Sequence, residues 1–147
     1  MIKQHKKTLI LTSVITLLPI FIGLLLWRQL PASVATHFGV DNQPDGYCSK
    51  VFAVFGLPVM MLFFHFICIV ATNIDPKRKN ISKKVFHVVM WICPVISLVN
   101  CNILYVYNLG YKLNIGFVCG LFVGILYLIL GNFIPKVKPN YSIGFRI

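Results

Sequence analysis

The chain has 147 residues, of which 58% are apolar and only 12% charged, and its mean hydropathy is +0.82. That balance leaves too little polar surface for a water-soluble globule. The formal charge of +11 does not mark a nucleic-acid partner either, because the basic residues are dispersed along the chain in separate groups instead of forming one face.

The first element is a basic segment, Lys3 to Lys7, followed by an apolar run from Thr8 to Trp27. A signal peptide cleaved near Ser33-Val34-Ala35 is the alternative, but such apolar regions are usually about 7 to 15 residues long, and this run has the length of a membrane span. After the loop 28–50 come a second run, Val51 to Thr72, the loop 73–84, a third run, Val85 to Tyr107, a connection 108–114, and a fourth run, Ile115 to Ile134. Each is long enough to cross about 30 Å of hydrocarbon. Lys77, Arg78, Lys79, Lys83 and Lys84 concentrate in the second loop, and Lys136, Lys138 and Arg146 in the tail from Pro135, whereas the other two connections carry only Arg28, Lys50 and Lys112. Segments rich in Lys and Arg stay in the cytoplasm. The expected fold is therefore an all-α polytopic transmembrane bundle of four spans, N-in and C-in, forming a single membrane domain over 1–147, with the bilayer as its first partner.

Pro19, Pro58 and Pro94 fall within spans and are expected to bend them. Gly116, Gly120 and Gly124 recur every four residues on the fourth span, the spacing that allows close backbone approach. Packing within the chain is the expected use, with homodimerisation as the alternative. Thr12, Thr16 and Gly23 offer a small-residue face on the first span, Asn100 is expected to act as interhelical glue, and His65 to be packed rather than to carry a proton or ligand.

The chain has no Glu, and Asp41, Asp45 and Asp75 all lie in loops, so no intramembrane carboxylate is available for proton relay or hydrolysis. No metalloprotease, serine-hydrolase or phosphate-loop motif occurs. The expectation is a non-enzyme without cofactor. In the first loop, His37, Asp41 and Asp45 lack diagnostic metal spacing, and Cys48 with His37 makes only a weak nucleophilic pair. A structured turn explains the composition better: Pro31 and Pro44 restrict φ, and Gly39 and Gly46 can take positive φ. No metal site is expected.

Two segments carry a resemblance. In the first loop they are Leu30-Pro31, His37-Phe38, Pro44-Asp45-Gly46-Tyr47 and Ser49-Lys50; in the tail the run is Gly131-Asn132-Phe133-Ile134-Pro135-Lys136-Val137-Lys138-Pro139-Asn140-Tyr141-Ser142-Ile143-Gly144-Phe145-Arg146. Together they resemble the SdpI family of bacterial membrane immunity and signalling proteins. Asn42 and Cys48 stand where the family pattern usually has Gly, the first a mild change because Asn also tolerates left-handed backbone. The resemblance implies protection of a bacterial cell membrane against a membrane-active peptide toxin at the outer face, and capture of a transcriptional repressor at the inner face. It places the outer motif on Pro31, His37, Pro44, Asp45, Gly46 and Lys50, and the inner motif on Gly131, Asn132, Pro135, Lys136, Asn140, Gly144 and Arg146. The family pattern continues beyond the arginine into further helices, so a shortened chain is expected. The alternatives are an oligomeric transporter or channel subunit, and a remnant without activity.

Overall fold

The computed structural model describes residues 5–133, 135 and 137–143. Among these the chain forms helix α1 (Lys6–Leu25), strands β1 (Ser33–Phe38) and β2 (Pro44–Ser49), a π turn (Phe52–Gly56), helix α2 (Leu57–Ile74), a short 3-10 turn (Arg78–Asn80), helix α3 (Lys83–Asn108) and helix α4 (Ile115–Phe133). Taking the π turn with α2, four helices are long and apolar enough to cross a membrane, each within two residues of its expected bounds. The chain is a multi-pass membrane protein. Helices are the natural form for such runs, because hydrocarbon supplies no partner for backbone N–H and C=O groups and a helix pairs them internally. The distortion expected at Pro58 takes the form of the π turn immediately before α2, which places the proline in the first turn of the regular helix, where its missing N–H costs least.

Helices α1, α2 and α3 pack as a bundle. The buried face of α1 consists of the expected small residues Thr12, Thr16 and Gly23 together with Pro19. Small side chains let α3 approach close enough to use the α1 backbone: Ser97 Oγ donates to the Thr16 carbonyl at 2.8 Å, and the Tyr105 hydroxyl donates to the Pro19 carbonyl at 3.2 Å. A Cβ on Gly23 would stand 2.8 Å from Val54 Cγ1 and 2.9 Å from the Tyr105 hydroxyl. Gly23→Ala is therefore expected to lower stability by about 1–2 kcal/mol through overpacking, read as a lower thermal midpoint in detergent.

Two apolar clusters close the ends of the bundle. Leu30, Val54, Cys101 and Tyr105 lie near the strands, and Ile69, Ile81, Val85, Phe86, Met90 and Val137 lie at the opposite end, with the tail. His65 is fully buried between them, its Nε2 3.1 Å from Thr12 Oγ. The Thr12 hydroxyl also donates to the Thr8 carbonyl of its own helix at 2.9 Å.

Helix α4 departs from expectation. Only 6% of its span is buried, and nothing in the described chain comes within 4 Å of a Cβ built at Gly120 or Gly124. At Gly116 only the Asn114 side chain is near, at 3.6 Å. The Gly116, Gly120, Gly124 face is not used for packing among the described residues, because α4 meets the bundle mainly at its start. Asn100 also differs: it makes no hydrogen bond to any described residue, and Ser97 supplies the interhelical bond instead.

Candidate functional site

Two polar assemblies sit at opposite ends of the helices. The first is the loop 28–50, which is an antiparallel hairpin and not simply a turn. Its register pairs Ala35 with Tyr47, His37 with Gly46 and Phe38 with Pro44, which leaves Thr36 and Asp45 as extra residues on their strands. Such bulges twist a hairpin and re-aim side chains. Here the bulge carries the Asp45 carboxylate to His37, with Oδ1 2.5 Å from Nδ1, at a site where both side chains are largely exposed. Gly46 is required by this approach, since a Cβ there would lie 2.7 Å from His37 Cβ.

The base of the hairpin is closed by Lys50, whose backbone N–H donates to the Ala32 carbonyl at 2.9 Å beside Pro31, and whose Nζ donates to the Trp27 carbonyl at 2.9 Å while lying 5.3 Å from the Trp27 ring centroid. The six outer-motif residues thus serve one object. His37, Pro44, Asp45 and Gly46 form its irregular end, and Pro31 and Lys50 form its base.

Two asparagines outside that motif fasten the hairpin to the helices. Asn108, at the end of α3, reads both backbone groups of Ala35: its Oδ1 accepts from the N–H at 2.8 Å and its Nδ2 donates to the carbonyl at 3.0 Å. Asn42 takes φ +63°, the left-handed region expected of Gly39 and Gly46, neither of which adopts it. From that turn its Oδ1 accepts from Ile115 N–H at 2.6 Å and its Nδ2 donates to the Leu113 carbonyl at 3.0 Å, so a residue 73 positions away helps cap α4. Asn42→Ala is expected to cost about 1–2 kcal/mol, seen as faster amide exchange at the start of α4. Asn42→Gly should keep the turn and lose only the cap.

The second assembly centres on Asp75, which follows α2 and is 3% exposed. Its Oδ1 accepts from Lys77 N–H at 2.7 Å, and its Oδ2 accepts from the N–H groups of Tyr141 and Ser142 at 2.9 and 2.8 Å and from Ser142 Oγ at 2.6 Å. Burial pushes this carboxyl pKa up, but the Ser142 hydroxyl and the three N–H donors outweigh it and hold it below the usual carboxylate range. Asn140, 3% exposed, braces the same turn by accepting from Ile143 N–H at 2.7 Å. Asn80 donates to the Pro139 carbonyl at 2.7 Å, and Lys77 Nζ lies 4.8 Å from the Tyr141 ring centroid. Of the expected inner motif, Gly131 and Asn132 lie in the last turn of α4 and Pro135 just beyond it, while Lys136, Gly144 and Arg146 lie outside the described residues.

Both ends are built from the motifs that suggested kinship, and comparison with known proteins agrees. A family described as Domain of unknown function (DUF1648) matches residues 14–62, which span most of α1, the hairpin and the start of α2. The chain is also 27% identical over 144 residues to the protein named Immunity protein SdpI of Bacillus subtilis (strain 168), an alignment covering 95% of this chain. In both respects it is similar to SdpI-type proteins.

The chain spans 66% of the length of that SdpI relative, and no solved structure matches it. Within this chain, Asn42, Asn108 and Asp75 are the site residues that motif reading did not assign. Asp75 carried one signal: it is the only one of the three acids outside the hairpin. Asn42 and Asn108 bond to residues 71 to 74 positions away, a pairing that spacing along one chain does not reveal. Among the described residues no group of three His, Cys, Asp or Glu side chains converges as a metal site would require.

Proposed function

We propose that this protein is a multi-pass immunity protein of a bacterial cell membrane that protects against a membrane-active peptide toxin. In this reading the hairpin lies outside, where it meets the toxin, and the basic end with the Asp75-bound tail lies inside, where it offers a surface for a transcriptional repressor. The observation that carries the reading is the construction of the hairpin: Pro31, Pro44, Gly46 and Lys50 are spent on its shape, and the exposed His37–Asp45 pair is presented at its rim. A fixed shape that presents a polar pair suits recognition better than catalysis.

Expression in a toxin-sensitive bacterium, with survival measured against an empty vector, tests this. Protection that falls when His37 and Asp45 are both replaced by alanine is the expected result; no protection by an inserted, folded protein contradicts it. The unpacked Gly120 and Gly124 face favours a second reading, a homo-oligomer joined through α4 and acting as a transporter or channel subunit. Gly120→Leu should then abolish assembly, whereas an unchanged monomer removes that reading.

A further inference from the structure

Beneath the hairpin lies a cavity of about 470 Å³, within the size range of ligand pockets and lined mostly by apolar groups. Met61 of α2, Leu104 of α3 and Cys119 of α4 form its walls, and His37 stands at its roof. Thr36 and His37 of the hairpin and Ser97 and Asn100 of α3 are the polar side chains of its lining; Ser97 is spent on the Thr16 carbonyl, whereas Asn100 is exposed and bonds to no described residue. At a rise of about 1.5 Å per residue, Asn100 lies roughly 12 Å further along α3 than Asn108, which is tied to the hairpin. That depth is inside the leaflet, whose hydrocarbon is about 15 Å thick.

An unpaired amide at hydrocarbon depth is unfavourable, and a lipid chain filling the cavity does not relieve it, because it has no donor or acceptor there. Asn108 shows what an amide on this helix does when a peptide is within reach: it pairs with the N–H and the carbonyl of Ala35 together. We infer that the cavity is a docking site for a short apolar peptide segment within the membrane, whose side chains displace lipid and whose backbone N–H and carbonyl pair with Asn100. A segment in the middle of a regular helix has its backbone already paired, so the occupant is extended, or is a helix end or a proline-broken turn. Only the natural source of the peptide rests on the toxin reading above.

The test uses the full chain in phosphatidylglycerol nanodiscs, with acetyl-Leu-Leu-Leu-amide as probe and saturable binding measured over empty nanodiscs. Saturable binding is expected. It should weaken about tenfold in Asn100→Leu and with a probe N-methylated at the central leucine, which removes the donor. Cys119→Trp, which fills the cavity, should abolish it, and Leu128→Trp, on the lipid-exposed part of α4, should leave it unchanged. The N-methylated probe makes the hydrogen-bond test on the unaltered protein, so the inference stays exposed to failure even if a variant misfolds. Absence of saturable binding, or binding indifferent to N-methylation and to Cys119→Trp, overturns it. Binding with the expected dependences in a protein that gives no protection upholds the cavity and removes the toxin reading. Protection by a protein that does not bind the probe does the reverse.

Discussion

Replacing Asp75 with alanine is expected to release the tail from the helices and to raise protease cleavage within residues 137–143 by about a hundredfold. Four donors converge on this carboxylate, three of them from the tail residues Tyr141 and Ser142. Removing the acceptor leaves the Lys77 and Tyr141 N–H groups unpaired and reduces Ser142 to its longer bonds to Asn140 Oδ1 and the Ala71 carbonyl, and Val137 then leaves its apolar cluster with the freed segment. Asp75→Asn should give a partial effect, since one carbonyl oxygen and no charge remain to serve four donors. The same geometry fixes the pH response. The folded pKa of Asp75 is lowered below the usual carboxylate range, so its contribution is fully present above that range and is lost as pH falls through the lower folded value. Tail protection should therefore be constant from neutrality to about pH 5 and fail only in acid, with no step near the histidine range.

The second large effect is expected at the other end. Asn108→Leu removes the side chain that bonds both backbone groups of Ala35, a residue 3% exposed, and leaves a buried N–H and carbonyl without partners among the described residues. Each such group costs about 1–3 kcal/mol, so opening of the hairpin should become easier by about 3 kcal/mol, roughly a hundredfold in amide exchange across β1. The four helices should persist, because their backbone bonds do not depend on the hairpin. Loss of protection in Asn108→Leu with intact insertion would assign the hairpin's position, and not merely its composition, to function.

These two residues also mark where the sequence was readable and where it was not. The spans were legible because hydrocarbon imposes a length and an apolarity that any window along the chain detects, and their bounds agree within two residues. The buried face of α1 was legible for a similar reason: Thr12, Thr16 and Gly23 repeat at helical spacing. The hairpin was only half legible. Its prolines and glycines announced a turn, but the left-handed position fell on Asn42, because the chain needed a side chain there that could both accept left-handed backbone and reach the start of α4. The glycine spacing of α4 misled for the opposite reason. A periodic small-residue face states what a helix can accommodate, and the partner that fills it has to come from elsewhere. Asp75 was overlooked as a loop acid, since nothing local distinguishes a solvated carboxylate from one that gathers a distant tail.

Everything proposed for the two ends depends on their lying on opposite sides of the membrane, the hairpin outside and the tail inside. Cys48, in β2, is the cysteine at the hairpin, whereas Cys68, Cys93, Cys101 and Cys119 lie within helices. Intact cells expressing the protein would be treated with a membrane-impermeant maleimide, with Cys48→Ser as the blank. Labelling of the unaltered protein in intact cells, absent in Cys48→Ser, is the predicted result; labelling that appears only after the membrane is permeabilised would contradict the account.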